Sequence, residues 1–307
     1  MKKKTKKTSI ARKTESFNFD GVITALVTPF KKGRVDFSSL KKIVRSQMDC
    51  GIQGFVVNGT TSESPTLTTQ EVEQIFRLVK KETYEAVPII LGTGTNSTQT
   101  TIQNTKLAER LGAHAALIVA PYYNKPPQRG LFLHYSSVAK SVRLPIILYN
   151  VPSRTVISLS SETVSKLSKI KNIVGIKETS GKTDFFIEEE SIKQNKFILL
   201  SGEDSTCIDF MLAGGAGVIS VISHIIPKEL RVISDMALRK IQQARQEYAK
   251  YTHLNQLLGI EINPIPVKSM LHLIGMIESP ELRLPLVTVT KENKKMIKDE
   301  LTLLGLI

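Results

Sequence analysis

From residue 19 onward the chain alternates short apolar runs with amphipathic stretches. The runs fall at 22–27, 54–57, 88–91, 115–120, 145–149, 173–177, 197–200 and 217–221. They are near-continuous in apolar residues and do not alternate with polar ones, the pattern of parallel strands buried on both faces. Successive runs end roughly 20 to 35 residues apart, the size of a βα unit. Between them lie helix signals. Leu40, Ile43, Val44 and Met48 share one helical face ahead of Gly51, a residue suited to a left-handed stop. Thr68 and Glu71 have capping-box spacing ahead of Val72, Ile75, Phe76 and Val79, and Leu107 and Leu111 share a face before Gly112. Eight such units in series predict an α/β fold, a closed (β/α)8 TIM barrel over residues 19–224. An open doubly wound sheet is the main rival, but no GxGxxG fingerprint follows the first run.

Past the eighth run the pattern changes. Residues 227–258 read as one or two long helices, 266–275 as another and 291–304 as a last one. Residues 225–307 are therefore read as a C-terminal helical appendage that covers the barrel or builds a subunit interface.

Composition adds limits. With 41% hydrophobic and 23% charged residues and no run of about 18 apolar positions, the chain reads as globular with no membrane partner. The net charge of +14 is uneven: residues 1–16 carry Lys2, Lys3, Lys4, Lys6, Lys7, Arg12 and Lys13 against Glu15, a local +6. Residues 1–18 are read as a disordered basic tail. The tail lacks the apolar region of a secretory signal; its sharper readings are a transit peptide or a salt-sensitive nucleic-acid arm, although no aromatic residue precedes Phe17. No nucleic-acid partner is assigned. Cys50 and Cys207 are too few for a disulfide framework or a cysteine-based zinc site, so a reducing, cytoplasmic setting is expected.

In a (β/α)8 barrel the reacting groups sit at the C-terminal ends of the strands. Those ends read Asn58-Gly59-Thr60-Thr61, Pro121-Tyr122-Tyr123-Asn124, Tyr149-Asn150 followed by 151–155, and Lys177-Glu178-Thr179. Ile173, Gly175 and Lys177 share strand parity, so all three are expected to face the same way. An inward Lys177 would lose hydration, favouring the free amine that attack on a ketone requires. The plainer reading is a lysine just past the strand, solvated or paired with Glu63 or Glu178. Tyr149 is either a proton shuttle or a packing residue. Thr60 and Thr61 either face a small carboxylate or only bond their own turn. Arg154, in a proline-stiffened loop, offers a forked donor to a carboxylate or makes a surface ion pair.

Several stretches together resemble the dihydrodipicolinate synthase family: 59–64, 121–126, 149–155, 175–178, 200–204 and 263–268, in the family's order and spacing across residues 21–307. The resemblance implies condensation of pyruvate with L-aspartate 4-semialdehyde, on the route to diaminopimelate and lysine. It implies that Lys177 forms the pyruvate imine and Tyr149 transfers protons, with Thr60 linking it to Tyr123, which in this family reaches across a dimer interface. Thr61 is implied in binding the pyruvate carboxylate and Arg154 the semialdehyde carboxylate, with Gly202 and Ile219 lining the pyruvate pocket. No cofactor and no metal is implied, and the assembly implied is a homotetramer, a dimer of dimers.

Two departures stand out. Ser62 occupies a position where the family usually has Gly; a positive φ there would cost roughly 1 kcal/mol or more. Lysine-inhibited relatives use His and Glu side chains at positions that are Thr69, Val72 and Thr100 here, while Ser64, Asn96 and Tyr122 are kept. Weak or absent lysine feedback is expected. The rivals are an N-acetylneuraminate lyase or a 2-keto-3-deoxy-sugar-acid aldolase, which share the lysine and tyrosine but have no need of Arg154. From another class come a non-catalytic barrel and a basic nucleic-acid-binding protein.

Overall fold

The computed structural model describes residues 18–180 and 197–307. The basic tail lies almost wholly outside them. Each apolar run carries one strand: β1 (Gly21–Ala25), β2 (Gly54–Val57), β3 (Ile89–Gly92), β4 (Ala115–Val119), β5 (Ile146–Asn150), β6 (Ile173–Glu178), β7 (Ile198–Ser201) and β8 (Gly217–Ser220). All are parallel to their neighbours, and β1 pairs with both β2 and β8, closing the (β/α)8 barrel. The runs lack polar alternation because both strand faces are buried. Ile23, Val56, Ile90, Leu117, Ile147, Leu200 and Ile219 fill the barrel, while Val22, Phe55, Leu91, Ile118, Leu148 and Val218 pack outward under the helices.

β6 departs from simple parity. Ile146 pairs with Ile173 but Ile147 pairs with Gly175, so the register skips Val174. Ile173 then belongs to the outer core, and only Gly175 and Lys177 keep the inward phase. A two-residue period holds only across an unbroken ladder, and an extra residue resets it. Glycine is required at 175, where a Cβ would stand 2.6 Å from the Ile198 carbonyl oxygen.

The helices begin and end at the expected signals. Helix α1 (Phe37–Asp49) buries Leu40, Ile43 and Val44 and is followed by Gly51 at φ +76°. Thr68 and Glu71 form a complete capping box at the start of α2 (Thr69–Glu82). Helix α3 (Thr98–Leu111) stops at left-handed Gly112, but its buried face is Thr101, Thr105 and Ala108, while Leu107 and Leu111 are half-buried. Three further helices, α4 (Gln128–Ser141), α5 (Ser161–Leu167) and α6 (Cys207–Ala213), continue the outer layer.

Residues 227–258 form three helices where one or two were expected: α7 (Pro227–Leu238), α8 (Ala244–Ala249) and α9 (Thr252–Leu258). Lys240, at φ +63°, interrupts the first of these stretches. Helix α7 packs on β1 and α6, so the last helix of the barrel ring lies past residue 224. The chain finishes with α10 (Ile265–Leu273) and α11 (Lys291–Leu303), which pack on each other. Among the described residues no helix is long and apolar enough to cross a membrane.

A buried histidine ties the first strand to the last. His224 accepts from the Val27 N–H at Nε2 (3.2 Å) and donates from Nδ1 to the Val221 carbonyl (2.9 Å), a pairing that requires the neutral ring. Burial pushes its pKa down to about 4 from 6.5. Between those values the unfolded chain binds the proton that the folded chain refuses, so stability falls as pH drops from 6.5 to about 4. Urea denaturation near neutral pH and at about pH 5 should show this drop, and His224→Gln, which can keep an acceptor and a donor, should make it smaller.

Candidate active site

The C-terminal ends of the strands open onto a cavity of about 280 Å³. Thr60, Thr61, Tyr149, Arg154, Lys177 and Gly202 line it, as do Glu203 and Asp204 after β7. The wall facing them comes from the appendage and includes Asn255, Glu261 and Asn263.

Lys177 sits near the end of β6, directly opposite Tyr149 in the β5 register, with Nζ 4.5 Å from the Tyr149 ring centroid. Only 7% of the lysine is exposed. Neither expected carboxylate partner pairs with it. Glu178 accepts from Asn150 Nδ2 (2.8 Å) and the Ser180 N–H, and Glu63 is held by Lys268. Room for the lysine stem comes from Gly202, where a Cβ would lie 2.7 Å from Lys177 Cε and 2.2 Å from Thr179 Cγ2. Burial raises the carboxyl pKa values of Glu203 and Asp204, while the Lys177 charge opposes that rise. Asp204 also accepts from the Val221 and Ile222 N–H groups (2.8 and 3.0 Å), fixing the turn beyond β8.

The threonine loop begins as a 3₁₀ turn over Thr60–Ser62. Ser62 has no positive φ; the left-handed residue is Glu63, at φ +56°. The Ser62 hydroxyl donates to the Leu26 carbonyl (2.6 Å), so serine fits here without backbone strain and gains a buried bond. Glu63 accepts from Lys268 Nζ (2.6 Å) and the Arg283 N–H (2.9 Å), and both side chains of the ion pair are buried. Lys268 also stands over the Phe30 ring at 4.3 Å. Burial pushes its pKa down to about 8, with Glu63 pulling the other way. The appendage reaches the loop a second time, where Asn263 Nδ2 donates to Thr61 Oγ1 (3.0 Å).

Arg154 lies in a short helical turn (Pro152–Thr155) and donates from Nη2 to the Asn263 carbonyl (3.3 Å). No carboxylate among the described residues forms an ion pair with it. Two other sequence candidates lie outside the cavity lining. Tyr123, at φ +74°, is 88% exposed. Ile219 lies in the packed barrel interior, and Val221 lines the cavity in its place. Tyr122 borders a second cavity of about 440 Å³, which also touches Ser64, Tyr149 and Arg154. Sequence reasoning assigned no role to Asn263, Glu203 or Glu261. Asn263 opens the 263–268 stretch, but nothing local to that stretch tells that it meets Thr61.

Lys268→Met would leave the buried Glu63 carboxylate without its cation. It should cost about 3–5 kcal/mol in urea unfolding, with most of the loss recovered in the Glu63→Gln/Lys268→Met pair.

Comparison with known proteins follows the same lines. The sequence model of the Dihydrodipicolinate synthetase family matches residues 18–304. The 4-hydroxy-tetrahydrodipicolinate synthase of Bdellovibrio bacteriovorus is 49% identical over 294 residues, covering 94% of this chain and 99% of its own. That of a Sulfurihydrogenibium species is 43% identical, covering 92% and 97%. Among solved structures, dihydrodipicolinate synthase from Thermotoga maritima superposes with a TM-score of 0.91 at 39% identity, covering 95% of this chain and 100% of its own. The chloride-inhibited Acinetobacter baumannii enzyme, solved with pyruvate, gives 0.90 at 41% identity, covering 94% and 100%.

Proposed function

The chain belongs to the dihydrodipicolinate synthetase family, and we propose that it works as a Schiff-base-forming lyase of the 4-hydroxy-tetrahydrodipicolinate synthase type, joining pyruvate to L-aspartate 4-semialdehyde. The observation that carries this reading is Lys177: an amine buried at the cavity wall, next to a phenol and free of the carboxylates Glu63 and Glu178. A neutral amine there attacks the ketone of pyruvate. Loss of water from the carbinolamine gives an imine, and loss of a methyl proton from the imine gives an enamine. Tyr149 is the group placed to carry these protons. The enamine carbon adds to the aldehyde of the second substrate; the amine of that substrate then attacks the imine carbon and expels Lys177, closing the ring. The lysine serves as the electron sink, so the scheme calls on no organic cofactor or metal.

The remaining assignments rest on placement. Thr61 lines the cavity beside Lys177 and serves the pyruvate carboxylate, with Gly202 keeping the space open. Arg154, without an ion-pair partner among the described residues, serves the carboxylate of the semialdehyde. Thr60 links Tyr149 to a tyrosine donated by a second copy of the chain. The exposure of Tyr123 at a left-handed loop tip supports that exchange, and with it a homo-oligomer built from dimers. Ile219 is a packing residue behind the pyruvate site.

Incubation with pyruvate followed by borohydride should place a pyruvate-derived mass on Lys177 and none on the Lys177→Ala protein. Addition of aspartate semialdehyde before reduction should lower the adduct. Label scattered over surface lysines would count against an activated Lys177.

The second cavity bears on regulation. Among the described residues its only acidic lining residue is Glu63, which is already paired with Lys268, so a cationic ligand finds no free carboxylate among them. Lysine at sub-millimolar concentration should leave the condensation rate unchanged; inhibition in that range would contradict the reading.

A further inference from the structure

We infer that the side-chain carbonyl of Asn263 recognises the amino group of the second substrate, while its amide nitrogen positions Thr61 for the first. This rests on the proposed condensation and assigns a specificity determinant within it.

Asn263 is the residue at which the two carboxylate-binding groups meet. Its backbone carbonyl accepts from Arg154 Nη2 (3.3 Å), and its Nδ2 donates to Thr61 Oγ1 (3.0 Å). Its third polar atom, Oδ1, is buried and has no hydrogen-bond partner among the described residues, although the residue lines the cavity. A buried acceptor left unpaired marks a place where a donor is missing. The amide orientation follows from the chemistry of Thr61. The hydroxyl has one proton, and giving it to the pyruvate carboxylate leaves the oxygen to accept from Nδ2. Oδ1 is therefore the free end.

The second substrate supplies the missing donor. It has a carboxylate, an amino group and an aldehyde, and the first two share one carbon. If Arg154 holds the carboxylate and the aldehyde faces the enamine on Lys177, the amino group lies beside Arg154. Asn263 is the residue that Arg154 touches. Of the other acceptors on the wall, Asp204 Oδ1 is also buried without a hydrogen-bond partner among the described residues and is the competitor. It makes no hydrogen bond with Arg154, and the remaining named oxygens are engaged. Glu261 Oε1 accepts from the Thr290 N–H and Asn293 Nδ2, and Asp204 Oδ2 holds the Val221 and Ile222 N–H groups. A neutral carbonyl also suits the chemistry better than a carboxylate. A carboxylate would stabilise the ammonium form, whereas ring closure needs the free amine.

The test compares aspartate semialdehyde with succinic semialdehyde, the same molecule without its amino group, as acceptors for pyruvate. Mass spectrometry of borohydride-trapped adducts follows carbon–carbon bond formation on Lys177. The wild-type protein should favour aspartate semialdehyde in kcat/KM by roughly ten-fold or more, as expected for a hydrogen bond to a charged group. Asn263→Ala should lose most of that preference and also raise KM for pyruvate. Asn263→Asp should keep the preference, since it retains an acceptor, while raising KM for pyruvate because it cannot donate to Thr61. A merely structural asparagine would leave the ratio of the two aldehydes unmoved in both variants. An unchanged ratio in Asn263→Ala, or equal loss in Ala and Asp, would overturn the assignment and pass recognition to another lining acceptor such as Asp204. Failure of the wild-type protein to condense aspartate semialdehyde, with the pyruvate adduct still formed, would instead sink the proposed function and the assignment together.

Discussion

The buried ion pair between Glu63 and Lys268 is the contact on which the arrangement of the site depends. It joins the loop after β2 to α10, and both side chains are almost fully out of water. Removing two charges from water is expensive, and mutual attraction recovers that only with close geometry and further bonds. Both are present. The nitrogen–oxygen distance is 2.6 Å, the second Glu63 oxygen accepts from the Arg283 N–H, and the ammonium rests on Phe30. Glu63 itself adopts a left-handed backbone, a conformation that persists where surrounding contacts over-determine it. The turn carrying Thr60 and Thr61 immediately precedes that residue, so its direction is set by a helix more than two hundred residues later in the chain.

Space and charge around Lys177 are governed by different means. Gly202 acts by absence, since any side chain there would occupy the path of the lysine. Glu203 and Asp204 line the same cavity as the amine, and burial disfavours their charged forms. The strand ladder contributes orientation: Tyr149 and Lys177 are register partners on adjacent strands, so their side chains meet on the inside of the barrel. The Val174 irregularity belongs to the same account, because the phase of Lys177 is reset three residues before the strand delivers it.

Much of the fold was legible because its signals are local. Continuous apolar runs marked all eight strands, and the Thr68–Glu71 capping box and the glycines at 51 and 112 marked helix ends. What escaped was not local. The register skip at Val174 is decided by pairing with β5, and the buried face of α3 uses threonine hydroxyls satisfied by one another and by backbone, as in Thr93–Thr105. In the site, Lys177, Tyr149, Thr60, Thr61 and Arg154 could be picked out by their positions at strand ends, Gly202 came only from the family resemblance, and all six share one cavity. Asn263 could not, because its partner Thr61 is reached only through tertiary folding. Glu203 was passed over because a carboxylate after a strand looks like an ordinary solvated residue until its neighbours are known.

The dependence of the threonine loop on the C-terminal helices has a consequence for the order of events during synthesis. A ribosome delivers the chain from its N-terminus, and contacts form as their parts emerge. All eight strands are made before Asn263 and Lys268 exist. The nascent barrel can therefore close with Lys177 in place while Glu63 still has no cation and Thr61 no amide to hold it. Competence arrives only once residues 263–268 have been made, so a barrel that lacks them is one without a working mouth.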